Sequence, residues 1–139
     1  VYSPQPDEAH FDLGPATRFF FPRICDTEIQ FFRPRTDQDF QANRFGILEP
    51  RIEASDALDL RLPLVVFCPA VAVDSSGRRL GQGKGHYDRF FSTVPQATRV
   101  GVLYQVQVSI DPLPADSWDQ LLDWIVTDKM ILRTSKRSS

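Results

Sequence analysis

Cysteine is scarce in this chain, with 2 in 139 residues, and histidine is equally rare at 2. Neither Cys25 nor Cys68 belongs to a C-x-x-C pair or has a histidine partner, so no metal-ligand spacing is present. Both sit in or beside apolar stretches, where free thiols are expected rather than a disulfide or metal site. That favours a reducing, cytoplasmic setting. Long apolar runs are missing too: none approaches the roughly 20 residues that cross a bilayer. The N-terminus, Val1-Tyr-Ser-Pro-Gln-Pro-Asp-Glu8, has no charged-then-apolar secretory pattern. It does not begin with Met, so the chain is expected to be processed, trimmed or cut from something longer. Positive charge is not in excess. With 16 Lys and Arg against 18 Asp and Glu the net charge is -2, which argues against bulk attraction to nucleic acid or anionic membranes.

What is present suits a single soluble domain. Hydrophobic residues make up 42% and charged residues 24%, enough to build a core under an ordinary surface. Residues 1–16 read as an irregular entry segment rich in Pro, Asp and Glu. Strands are expected within Ala16–Pro22 and Glu28–Phe32. The polar stretch from Asp37 to Glu53 contains a loop signal at Gly46-Ile-Leu-Glu-Pro50. Leu62-Pro-Leu-Val-Val-Phe-Cys68 is a continuous apolar run, expected to be a strand covered on both faces. Tyr87–Phe91 can form a short helix with Phe90 and Phe91 turned inward. Arg99–Tyr104 reads as another buried strand, and Leu121–Val126 as a last strand or its approach. Residues 135–139 are expected to form a disordered tail after a domain spanning 1–134. Buried strands alternating with helical pieces imply an α/β fold. The expectation is a mixed, mostly parallel sheet flanked by helices in a Rossmann-like, three-layer manner. Crossover helices are in short supply, because few amphipathic runs reach ten residues.

The chemistry concentrates in Gly77-Arg-Arg-Leu-Gly-Gln-Gly-Lys-Gly-His-Tyr-Asp88. Gly81, Gly83 and Gly85 alternate, and glycine lets backbone N–H groups approach an anion without side-chain obstruction. A helix starting near Gly85 would add its positive end. Arg79 and Lys84 supply full charges, one a planar fork and one a movable point. Asp88 is a hard oxygen ligand suited to the magnesium that accompanies phosphates. The P-loop pattern is not met, since Arg78 and Gly85 occupy its first glycine and its Ser/Thr positions. The dinucleotide fingerprint fails as well, because its third glycine would have to fall later than Gly85. From spacing alone, an anion cradle and a glycine-rich hairpin with incidental basic residues are both open.

The longer segment Asp74-Ser-Ser-Gly-Arg-Arg-Leu-Gly-Gln-Gly-Lys-Gly-His-Tyr-Asp88 resembles the signature of 5-formyltetrahydrofolate cyclo-ligases, also called methenyltetrahydrofolate synthetases. Gly46-Ile-Leu-Glu49-Pro50 is similar to that family's Gly-Ile-x-Glu-Pro, and Trp118-Asp119-Gln-Leu-Leu-Asp123-Trp-Ile-Val-Thr127 to its His-Asp-x-x-x-Asp-x-Ile-x-Thr ending. The likeness runs from about Tyr2 to Thr127. It implies an enzyme that uses ATP and magnesium to convert 5-formyltetrahydrofolate to 5,10-methenyltetrahydrofolate, acting as a cytoplasmic monomer. On that reading Arg79, Gly81, Gln82, Gly83, Lys84, Gly85, His86 and Asp88 would bind ATP, and Asp88 and Asp119 the metal. Glu8, Phe45 and Tyr87 would face the folate, with Lys84, Tyr87 and Asp88 in the catalytic roles. His86 and Trp118 depart from the family's usual Tyr and His. Nothing here corresponds to the family's helical N-terminal portion, which carries further basic residues for the phosphates.

Plainer roles stand beside these. Asp119 can simply cap the segment Gln120–Trp124. Phe45 suits an ordinary core, Glu8 a solvated surface, and His86 an exposed loop. Glu49 can serve only to shape a turn, and Trp118, Trp124 and the Phe pairs to pack. A non-catalytic family member that binds nucleotide or folate is the alternative to the enzyme. Nucleic-acid binding through Arg78, Arg79, Lys84 and Arg89 lacks an aromatic-laced basic face.

Overall fold

The computed structural model describes residues 15–81, 85–114, 116 and 119–135, with the side chain of Thr17 left aside. Contacts within the chain fall into two compact units, residues 1–61 and 62–139.

In the first unit, alternation of apolar residues along the chain makes an antiparallel hairpin. Strands β1 (Phe21–Cys25) and β2 (Glu28–Pro34) pair in register from Phe21↔Phe32 to Cys25↔Glu28, across a two-residue turn with Asp26 at φ 57°. Strand β2 buries Ile29, Phe31, Phe32 and Pro34. The earlier part of the expected first strand is instead a single 3-10 turn over Ala16–Arg18, pinned by the Ala16 N–H donating to Asp37 Oδ1 at 2.9 Å. Pro22 has no N–H to give, and β1 tolerates it as an edge strand. The Gly46–Pro50 loop signal is half right. Gly46 turns the chain at φ 78°, but its C-terminal part is strand β4 (Leu48–Pro50), paired with β3 (Phe40–Ala42). Asn43 builds this turn by accepting from the N–H groups of Phe45 and Ile47, at 2.8 and 3.1 Å, and donating to Glu49 Oε1 at 3.0 Å. A fifth strand, β5 (Ser55–Ala57), completes the three-stranded sheet against β2.

The second unit holds a four-stranded sheet. Strands β6 (Val65–Pro69), β9 (Thr98–Val102) and β11 (Trp124–Val126) run parallel, and β12 (Ile131–Arg133) closes the edge antiparallel to β11. Between β6 and β9 lie β7 (Ala72–Asp74), β8 (Arg79–Leu80) and α1 (His86–Thr93), and β10 (Val108–Ser109) adds a parallel strand to β7. The α/β class and the mixed, mostly parallel sheet expected from the sequence are therefore present. Helical cover is sparser than three full layers, with α1 the one α-helix among the described residues.

Expected cover on both faces of the 62–68 run is not what β6 shows. Val66 and Cys68 are buried at 7% and 0%, whereas Val65 and Phe67 are exposed at 61% and 41%. The order β6-β9-β11 steps one way across the sheet, and right-handed crossovers then place both connections on the same side. That side is filled. Phe91 of α1 lies against the Arg99 guanidinium, 5.2 Å from ring centroid to carbon, and Leu122 presses so close to Gly101 that an added Cβ would sit 2.6 Å from its Cδ1. Phe90 and Phe91 point inward as the sequence suggested. Ser135, the first residue of the expected tail, donates its N–H to the Ser75 carbonyl at 3.0 Å.

Candidate nucleotide-phosphate and metal site

The site begins at Asp74, the last residue of β7. Its nearly fully buried carboxylate accepts from Ser76 Oγ at 2.6 Å, Ser76 N at 3.0 Å, Arg78 N at 3.1 Å and Leu113 N at 2.9 Å. An aspartate that folds back on the N–H groups two and four residues ahead is the driving feature of such turns. Burial acts to raise the Asp74 pKa, but the bonds from the Ser76 hydroxyl and from the Leu113, Arg78 and Ser76 amides outweigh it. The net result holds the carboxyl below the usual carboxylate value. Gly77 follows at φ 92°, where a Cβ would collide with the Leu122 carbonyl, and it accepts the Leu122 N–H at 2.8 Å. Arg78 Nη1 donates to the Leu113 carbonyl at 3.1 Å. The 74–78 turn is thus clamped to both ends of the 113–122 segment.

A folded-state pKa held low stabilises the fold above the unfolded value, and that contribution is lost as pH falls through the folded value. Asp74→Asn is therefore expected to cost about 2 kcal/mol or more at neutral pH, because buried amides lose a charged acceptor. The gap to wild type should narrow towards pH ~3, below the usual carboxylate range. Urea unfolding at both pH values measures it, and a gap unchanged with pH would contradict the assignment.

Strand β8 leaves this turn and carries Arg79 inward. Its Nη1 donates to the Pro69 carbonyl at 3.3 Å, its Nη2 pairs with Asp88 Oδ2 at 3.6 Å, and its guanidinium lies 5.6 Å from the Tyr87 ring centroid. Its Nε is buried with no partner among the described residues. Gly81 leaves room for that head group, since a Cβ there would stand 2.7 Å from Arg79 Nη1. Gly85, at φ 69°, is the N-cap of α1, which no side chain caps. Asp88 lies in the first turn of α1, and its Oδ1 accepts the Gln120 N–H at 3.2 Å. Asp119, next in sequence to Gln120, accepts the Asp116 N–H at 2.7 Å and closes a turn. Residues 120–123 form no helix, so Asp119 does not cap one.

Of the residues singled out by sequence, the fold brings together Arg79, Gly81, Tyr87 and Asp88, and docks the Asp119 segment onto Asp88 through Gln120. Gln82, Gly83, Lys84, Trp118 and Glu8 lie outside the described residues. Phe45 belongs to the unit 1–61 and is 65% exposed at the β3–β4 turn, with the Arg44 guanidinium 4.7 Å from its ring centroid. It is not a core residue. Glu49, offered as a turn-shaping residue, does so by accepting from Asn43. Among the described residues no three His, Cys, Asp or Glu side chains gather as a metal cage. The Asp88 carboxylate at the start of α1, with Asp119 one residue before the Gln120 amide it accepts, fits magnesium nonetheless, because that ion is usually held by one or two carboxylates, water and substrate phosphates.

A sequence model of the 5-formyltetrahydrofolate cyclo-ligase family matches residues 4–128, a span that contains every one of these residues. The chain belongs to that family. The cyclo-ligase of Haemophilus influenzae is 37% identical over 91 residues, covering 64% of this chain and 48% of its own length. The Escherichia coli cyclo-ligase is 33% identical over 107 residues, covering 73% of this chain and 56% of its own. The solved 5,10-methenyltetrahydrofolate synthetase of Aquifex aeolicus superposes with a TM-score of 0.70 at 35% identity, over 86% of this chain and 60% of that one. The chain thus spans about half the length of the cyclo-ligases it matches.

Asp74 opens the cyclo-ligase motif in the sequence, and its clamping role is carried by the turn it forms. An Asp with a Ser two residues on and a Gly three on carries the signal for such a turn. Arg99 also went unremarked. It is buried on β9, with its backbone N–H bonded to Asp123 Oδ2 at 2.8 Å and its Nη1 to the Leu121 carbonyl at 3.2 Å. These bonds hold the far end of the segment that carries Asp119.

Proposed function

We propose that this chain takes part in the ATP- and magnesium-dependent closure of 5-formyltetrahydrofolate to 5,10-methenyltetrahydrofolate. The observation that carries the reading is the convergence of Arg79 and Asp88, 3.6 Å apart, at the start of a helix preceded by the glycine loop. The family match across that loop supports it.

In this reaction the formyl oxygen attacks the γ-phosphorus of ATP and ADP departs. The neighbouring folate nitrogen then attacks the activated carbon, and phosphate leaves with the former formyl oxygen. The protein's part is positioning and charge neutralisation, as in other phosphoryl transfers. Arg79, Gly81, Gln82, Gly83, Lys84, Gly85 and His86 hold the phosphates, and Lys84 adds charge where the leaving ADP develops it. Asp88 and Asp119 would hold magnesium, which when bound would neutralise phosphate charge. Tyr87, beside Arg79, would face the formyl end of the folate. A reducing cytoplasmic compartment and a monomer complete the reading.

The test is product formation, followed by absorbance, from 5-formyltetrahydrofolate with ATP and magnesium, with each omitted in turn. Activity that needs all three supports the enzyme. A folded sample that binds ATP or folate without turnover supports the second reading, a non-catalytic family member.

A further inference from the structure

We propose that Arg99 is a positioning residue that sets the separation of Asp88 and Asp119, and through it a preference for a small divalent cation over a larger one. This rests on the reading above, in which those two carboxylates hold the metal.

Arg99 lies on β9, outside the residues assigned to any ligand, and is only 8% exposed. It makes no ion pair among the described residues, and its Nε is buried without a hydrogen-bond partner among them. A guanidinium in that setting is costly, and an apolar side chain of similar length could fill the space without the penalty. Stability therefore does not account for the charge. Its contacts do. The guanidinium lies 5.2 Å from the Phe91 ring centroid, and its Nη1 donates to the Leu121 carbonyl at 3.2 Å. Phe91 follows Asp88 by three residues on α1, and Leu121 follows Asp119 by two. One rigid planar group thus spans the two segments that bring the carboxylates. The backbone of Arg99 grips the second segment as well: its carbonyl accepts the Asp123 N–H at 2.8 Å, and its N–H donates to Asp123 Oδ2 at 2.8 Å. Gln120 also joins the segments, by donating its N–H to Asp88 Oδ1 at 3.2 Å, but that bond engages a carboxylate that has to turn towards a metal. The Arg99 bridge touches neither carboxylate, so it holds their spacing whatever they bind. Spacing matters to the choice of ion. Magnesium demands near-octahedral oxygen ligands at about 2.0–2.1 Å, whereas calcium accepts looser geometry at about 2.3–2.6 Å.

Titration calorimetry of the whole chain, with ATP saturated beforehand by magnesium or by calcium and no folate present, reads the preference without turnover. The wild type should bind the magnesium complex more tightly. In Arg99→Met, shown to be folded by thermal melting, the magnesium complex should weaken by about ten-fold and the calcium complex by less than about three-fold, as when groups behind metal ligands are removed. Val102→Ala, a core truncation on the opposite face of β9, should leave the preference intact, which separates positioning from general loosening. Arg99→Lys keeps a donor for the Leu121 carbonyl but loses the planar group over Phe91, so its preference should fall between the two. It carries the test if Arg99→Met does not fold. An Arg99 variant that is folded and keeps the wild-type preference would overturn the proposal, as would a wild type that binds both complexes equally. Either result leaves the ATP site standing. A wild type that binds neither complex removes the ATP reading, and this inference with it.

Discussion

On the proposed function, Arg79→Ala should lower the rate of methenyltetrahydrofolate formation by about a thousand-fold, roughly 4 kcal/mol of transition-state stabilisation. The magnitude follows from where the guanidinium sits. It is buried at one end of a glycine loop, oriented by the Pro69 carbonyl, and so needs no reorganisation to meet charge that develops on the phosphoryl group. Most of the loss should fall in kcat rather than KM, because the charge it meets grows as the reaction proceeds. Arg79→Lys should recover only a small part. A single ammonium cannot reach the Pro69 carbonyl, the Asp88 carboxylate and a phosphate together as the planar fork can. Thermal melting must accompany the kinetics, since Arg79→Ala also leaves Asp88 without its ion pair. A variant that melts like the wild type and turns over within ten-fold of it would remove Arg79 from the machinery.

The sequence made legible those elements whose pattern is long and one-sided. Strand β9 reads as buried because Val100, Gly101 and Val102 admit no polar face, and α1 because Phe90 and Phe91 stand together on one side. Strand β12 is not legible in the sequence. Three residues, of which Ile131 is exposed, carry no period strong enough to mark a strand. The continuous apolar run of β6 misled for a different reason. Apolar character states that a face can be buried, while the one-way strand order decides that the crossovers cover only one side. Phe45 failed in the same way. An aromatic residue suggests core, but Asn43 places a turn around it and so puts it on the surface.

For the site, the glycine spacing and its charged residues were visible at once, but their pairing was not. Arg79 and Asp88 are nine residues apart and lie on no shared helix or strand. They meet because β8 ends and α1 begins around the glycines, and no periodicity encodes that meeting. Asp74 shows the converse. Its carboxylate reaches Leu113, 39 residues on, a bond that depends on β10 pairing with β7. Local chemistry was readable, and long-range closure was not.

That closure depends on how firmly α1 is seated, and Phe91→Ala should show it. Phe91 is fully buried, its ring 6.0 Å from Phe90 and 6.1 Å from Tyr87, with the Arg99 guanidinium over its face. Truncation removes apolar burial and leaves a cavity under a helix of only two turns, so the cost should be about 3–5 kcal/mol. For a chain of this length that lowers the melting temperature by roughly 10–20 °C. Phe91→Leu keeps more of the volume and should cost less than about half as much. The site should suffer with the fold. Asp88 and Tyr87 lie about one turn before Phe91, and a loosened α1 swings the carboxylate away from Arg79 and from the Gln120 amide. Metal-bound nucleotide should therefore stabilise Phe91→Ala by fewer degrees than it does the wild type. A loss of under about 1 kcal/mol would place Phe91 outside the core, as an ordinary surface substitution costs no more. The seat of the helix, and the Arg79–Asp88 geometry built on it, would then need another anchor.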